Sequence, residues 1–204
     1  MICGYYIKTM WTLFFNTVFV RRTALRFGFF ACLASFAYSQ APAPAPLAIP
    51  NPTYVSIPLE IAVNRPAAEV WKRVGKYCDI GEWLQIPCTI LSGKDGEIGA
   101  VRSVGNEVLV GKTELSYTYT QPVRTGRPYN LYHGTLEARP VTATTSKLVY
   151  ILIFDNSILA DDEAREKDKA QRTAQFTRAL QNMKTLAEGG SLPPAPARGG
   201  GPAR

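Results

Sequence analysis

The hydrophobic period changes abruptly near the start of the folded region. Val55, Ile57, Leu59, Ile61 and Val63 alternate with Ser56, Pro58, Glu60, Ala62 and Asn64. That period of two describes a strand with one buried face. Pro58 has no N–H to give to a ladder, so the strand is expected at a sheet edge or at a bulge. From Pro66 the apolar positions Ala67, Val70, Trp71 and Val74 follow a helical spacing, with Asn64 placed as a cap. Gly75 ends that helix, and Tyr77, Ile80 and Leu84 resume the spacing in a second short turn. Two short helices joined at Gly75 thus make a bent pair after the first strand.

The rest of the chain is strand-like until its last third. "PCTILSG" and "GAVRSVG" flank Lys94-Asp95-Gly96-Glu97-Ile98, where Asp-Gly between apolar runs signals a hairpin. Gly93, Gly96 and Gly99 do not form a phosphate cradle, because a cradle needs a strand–loop–helix setting and this loop joins two strands. "NEVLVGKT", "ELSYTYT", "YNLYHGTLEAR" and "SKLVYILIF" read as further strands. The last is apolar on both sides from Leu148 to Phe154, which fits a central strand covered on both faces or partly open to a ligand. From Ala160 one long helix follows. Asp161, Asp162 and Glu163 suit its first turn. Its charged early turns read as solvated, and Ala170, Ala174, Phe176, Leu180, Met183 and Ala187 as its apolar side.

Charge and cysteines bear on the compartment. The net charge of +7 rests partly on residues 1–39, which hold Lys8, Arg21, Arg22 and Arg26 and no acid. Without them 19 basic residues face 16 acidic ones, a weak excess with no dense basic face, so no nucleic acid is expected as a partner. "RRTALRFGFFACLASFAYSQ" has the basic start, apolar run and small residues of an export signal, cut before Gln40. Its arginine pair partly matches a twin-arginine signal; an ordinary secretory signal is the alternative. Trp11–Val20 and Phe27–Ala37 are each short for a bilayer span, so no stable transmembrane anchor is expected after cleavage. The expected organisation is an export signal at 1–39, a Pro/Ala-rich linker at 40–53, one domain at 54–188 and a Gly/Pro-rich tail at 189–204, in a periplasmic or secreted protein. Cys78 and Cys88 then form an even pair in an oxidising compartment. A bridge between them closes a short loop, worth roughly 2–3 kcal/mol. The alternative is a reactive thiol at Cys78.

The order of strand, two short helices, about six strands and one long terminal helix resembles the START/polyketide cyclase superfamily (SRPBCC), whose helix-grip fold is that of the birch pollen allergen. The carrying stretches are "NRPAAEVWKRVGKYCDIGEWL", "SGKDGEIGAVRSVG", "LSYTYT", "YHGTLEARP" and the terminal helix, across residues 55–187. The small exported bacterial members are the most similar. The resemblance implies an α+β fold, with a curved antiparallel sheet of about seven strands around the C-terminal helix and a cavity between them. It implies an apolar small-molecule or lipid ligand and brings no catalytic signature.

The residues that can serve such a cavity are few. Leu115, Tyr117 and Tyr119 share one strand face, and an inward tyrosine pair offers flat apolar surface with hydroxyls that need partners. Arg102 and Glu107 flank Ser103-Val104-Gly105-Asn106, which gives either a cross-strand ion pair or an inward Arg102 able to hold an anion. His133 is the single histidine. Parity sets it opposite Tyr132, Leu136 and Ala138, so it reads as a surface residue or, alternatively, a cavity-mouth acid or base. One histidine beside a bridged cysteine pair leaves no metal-ligand set, and no cofactor is expected. The cavity candidates are Trp83, Arg102, Glu107, Tyr117, Tyr119, Tyr132 and His133. Three functions remain open: an exported binding protein for a hydrophobic molecule, a cyclase- or dehydratase-like enzyme using the Tyr, Arg and His groups, and a non-catalytic interaction module with a filled cavity.

Overall fold

The computed structural model describes residues 49–194. The expected export signal, most of the linker and the end of the tail lie outside them. The elements run β1 (Tyr54–Val63), α1 (Ala67–Val74), α2 (Ile80–Trp83), β2 (Ile90–Ser92), β3 (Val101–Arg102), β4 (Glu107–Lys112), β5 (Ser116–Gln121), β6 (Asn130–Pro140), β7 (Ser146–Asp155) and α3 (Asp162–Ala187). The strands form one seven-stranded antiparallel sheet, ordered β1-β7-β6-β5-β4-β3-β2. The last strand thus returns to pair with the first, and the meander runs outward from it.

Local chemistry accounts for most of this layout. β1 is an edge strand, which is where Pro58 can sit opposite Ile151 without costing a ladder bond. α1 buries Ala67, Val70 and Val74, while Trp71 stays half-exposed instead of joining the core. Gly75 ends α1 because a Cβ there would lie 2.3 Å from the Trp71 ring; its φ of −98° needs no glycine. Asn64 does not cap α1. Pro66 occupies the cap position, and the Asn64 amide instead donates to Glu188 at 2.8 Å, tying β1 to the end of α3.

The core lies between the inner face of the sheet and the later turns of α3. Leu148, Tyr150, Leu152 and Phe154 of β7 meet Phe176, Ala179, Leu180, Met183 and Leu186 of α3 in one buried cluster. Burying each large side chain there stabilises by about 1.5–3 kcal/mol. Ala170 and Ala174 are exposed, so the buried stripe of α3 starts later and includes Ala179 and Leu186 instead. The outer face of β7 is covered unevenly: Val149 is buried, Ile151 is half-buried and Ile153 is 44% exposed. Asp161 caps α3, its carboxylate accepting from the Ala164 amide at 2.8 Å, a contact worth about 1 kcal/mol.

Candidate functional site

Two devices place aromatic rings on the inner side of the sheet. Alternation along β5 sends Tyr117 and Tyr119 inward, and alternation along β6 sends Tyr132 and Leu136 the same way. Gly134, opposite Tyr119 in the ladder, leaves room for the Tyr119 ring; a Cβ there would stand 2.4 Å from that ring. The Tyr119 hydroxyl thereby reaches the Tyr150 hydroxyl on β7 at 2.9 Å. Rings then follow one another from Trp71 through Tyr117, Tyr119 and Tyr132 to Phe154, with centroids 5.6, 6.4, 6.3 and 5.8 Å apart.

A charged pair is set into these rings. Arg102 and Glu107 face each other across the β3–β4 turn, 0% and 3% exposed. Arg102 Nε donates to Glu107 Oε2 at 2.6 Å, and Nη1 donates to the Tyr77 carbonyl at 2.5 Å. Nη2 stands 2.5 Å from Glu107 Oε2 but is not directed at it for a hydrogen bond, and has no other partner. The guanidinium lies 4.2 Å from the Tyr77 ring centre and 4.7 Å from that of Tyr119, so its faces are covered by π density. Glu107 Oε1 accepts from the Gln121 amide at 2.7 Å, and Gln121 Oε1 accepts from the Tyr129 hydroxyl at 2.5 Å. Burial pushes the Glu107 carboxyl up, against the lowering pull of Arg102 and Gln121. Burial also pushes the phenols of Tyr119 and Tyr150 well above their usual range, so both stay neutral.

The relay from Arg102 ends in a cleft of about 300 Å³ between the sheet and α3. Glu107, Gln121 and Tyr119 form its polar wall, Tyr129, Tyr132 and Phe176 its aromatic wall. Arg172 of α3 lines it too, its guanidinium 4.5 Å from the Tyr129 ring centre and 4.7 Å from that of Phe154. Arg172 Nε donates to Asp168 at 2.9 Å. Burial works against its charge, but that hydrogen bond and the carboxylate outweigh it and hold the guanidinium as a cation.

Of the candidates read from sequence, Glu107, Tyr119 and Tyr132 line this cleft, and Arg102 and Tyr117 stand behind it. Trp83 is fully buried, edge-on to Tyr150, and its Nε1 has no partner. His133 is not brought there: it is half-buried on the outer face, between Thr120 and Ile153. Gln121, Tyr129, Phe176 and Arg172 were not legible as site residues. The available signal was spacing on α3, since Asp168 and Arg172 precede the buried Phe176 and Leu180 at four-residue steps and so share their face. Cys78 and Cys88 are joined by a disulfide, with Cα atoms 5.7 Å apart, which fastens α2 to the approach of β2. Among the described residues no group of three or more His, Cys, Asp or Glu side chains is placed to hold a metal.

No family model matches the sequence. No curated protein matches it either. Solved structures do match in fold. A solution structure from Thermobifida fusca is 23% identical with a TM-score of 0.55, covering 67% of this chain and 97% of its own. The Zhui aromatase/cyclase from a Streptomyces species is 20% identical with a TM-score of 0.52, covering 68% of this chain and 99% of its own. Both likenesses extend over almost the whole of the matched chains. With the strand order and the terminal helix described above, they make this chain a helix-grip protein, sharing the fold of the START/polyketide cyclase superfamily.

Proposed function

We propose that the protein is an exported binding protein that holds a compact hydrophobic molecule in the cleft between the sheet and α3. The observation that carries this reading is the pairing of walls in one opening: Tyr129, Tyr132 and Phe176 offer apolar surface, while Glu107, Gln121 and Arg172 offer a few fixed polar groups. Binding sites commonly combine these. The volume of about 300 Å³ lies at the low end of the roughly 300–1,000 Å³ usual for ligand pockets, which suits a ring-sized ligand better than a long lipid chain. A ligand's apolar part would slide along the rings as water leaves. Its hydroxyl, carbonyl or carboxylate would meet Gln121 or Arg172, whose positions are already fixed by Tyr129 and Asp168. Such preorganisation lowers the entropic cost of binding. The disulfide supports export, because such bridges persist in oxidising compartments.

A neutral fluorescent probe, N-phenyl-1-naphthylamine, tests the reading. It should bind the wild type, and Gln175→Trp, which plugs the mouth of the cleft from exposed α3, should abolish binding with the circular dichroism spectrum unchanged. Undiminished binding by the plugged variant would remove the cleft from consideration. One further reading has an observation behind it. The interior is filled by Trp83, Tyr117, Tyr119 and Tyr150, which favours a non-catalytic interaction module if no small molecule binds. A cyclase- or dehydratase-like activity is less supported, because Arg102 is enclosed and His133 lies on the other face.

A further inference from the structure

A second opening, of about 390 Å³, lies between the end of α1 and the β4–β5 hairpin, and shares no lining residue with the first. Its floor is aromatic and aliphatic: Trp71, Tyr117, Tyr77 and Leu109. The Trp71 ring leans on Tyr117 with centroids 5.6 Å apart, and Tyr77 meets Tyr117 edge-on at 5.5 Å. Leu109, Tyr77 and Tyr117 are buried, yet Trp71 is left half-exposed over them, so one large ring faces the opening. Gly75 leaves room for that ring to pack against the chain, since a Cβ there would stand 2.3 Å from it. Tyr77 itself is buried, and its hydroxyl has no hydrogen-bond partner.

The rim carries charge. Lys72, in the last turn of α1, and Lys76, just past its end, are both exposed and line the opening; neither is paired with a carboxylate among the described residues. Lys112 comes from the opposite side, its ammonium donating to the Gly96 carbonyl at 2.6 Å. Asp95 and Glu114 also reach the rim, so the lining as a whole has three ammonium groups against two carboxylates. The unpaired Lys72 and Lys76 line the same opening as Trp71, where charge and ring meet.

We infer that this second opening is a binding site for a planar aromatic anion, with its ring on Trp71 and Tyr117 and its carboxylate, sulfonate or phenolate against Lys72 and Lys76. Aromatic stacking fixes the ring, and the ammonium pair selects the anion and steers it in. Arg102 separates the two clefts, its guanidinium lying between the rings of Tyr77 and Tyr117 on one side and Tyr119 on the other.

The probe is 2-naphthalenesulfonate, compared with neutral 2-naphthalenemethanol by calorimetry on the full chain. The sulfonate should bind more tightly than the alcohol, and the advantage should shrink as salt is raised. Lys72→Gln with Lys76→Gln should lower sulfonate affinity about fivefold to tenfold and leave the alcohol unchanged. Trp71→Leu should weaken sulfonate binding and leave that of the alcohol, which the first cleft takes, unchanged. Gln175→Trp, which plugs the other cleft, should leave sulfonate binding intact. Unchanged affinity in the double lysine variant would overturn the inference. Loss of sulfonate binding in the plugged variant would overturn it too, by assigning the probe to the first cleft.

Discussion

Arg102 and Glu107 form an ion pair that water barely reaches: the guanidinium Nε donates to the carboxylate at 2.6 Å, the Tyr77 and Tyr119 rings lie against the guanidinium, and the Tyr77 carbonyl and the Gln121 amide bond to the pair. A pair in such surroundings adds little stability over an apolar pair, but losing one member strands the other. Arg102→Met should therefore destabilise the fold by about 3–5 kcal/mol, read from urea denaturation. Adding Glu107→Leu should recover a large part of that loss. A single variant within about 1 kcal/mol of wild type would mean that the pair is solvated in solution.

Gly134 is the position where a methyl group should do the most harm on β6. Its Cβ would stand 2.4 Å from the Tyr119 ring, which cannot retreat without leaving Tyr150. Gly134→Ala is expected to cost about 1–3 kcal/mol by overpacking. Tyr119→Phe alone, which removes the hydroxyl and leaves Tyr150 to find water, should cost about 1–3 kcal/mol. Thermal melts of both, and of the double variant, would show whether the two losses share one cause, since shared losses do not add.

Asp155 gives the fold part of its dependence on acid. Desolvation opposes its ionisation, but Asn130, Ser157 and the Thr53 amide all donate to it and hold its carboxyl below the usual aspartate range. Its contribution is therefore complete above the unfolded value of about 3.9 and is lost as pH falls through the lower folded value. Asp155→Asn should be less stable than wild type at neutral pH, and the gap should close as pH drops below about 4. A gap that stays constant from neutral to acid pH would contradict this assignment.

The disulfide fastens a segment with little regular structure of its own, between α2 and β2. Thiol titration of the unreduced, denatured protein should find Cys78 and Cys88 unreactive. Replacing both by serine should cost about 2–3 kcal/mol by the loop-entropy argument. Two free thiols would remove the bridge and with it the main support for an oxidising compartment.

The architecture was legible in the sequence because its signals are local. The alternation at 55–63, the glycine at 75 and the Asp-Gly turn each fix a short element, and Pro58 places the first strand at the edge. The site was only half legible, for a physical reason. Tyr117, Tyr119 and Tyr132 announce themselves by strand parity, which is a local property. Arg172 and Gln121 do not, because their role arises from packing between elements distant in sequence. Polar residues on an otherwise charged helix read as solvated, yet Arg172 lies over Tyr129 and Phe154. Arg102 was open to two readings, a cross-strand ion pair or an inward group, and it is both at once.

Native mass spectrometry of the protein, purified from its native source without detergent, is the most direct test of binding in the cleft between the sheet and α3. The account predicts a mass above that of the bare chain, a compact aromatic or alicyclic molecule on extraction, and loss of that added mass in Gln175→Trp. A bare mass in the wild type, with no uptake of the neutral probe, would contradict it and leave the filled interior to an interaction module.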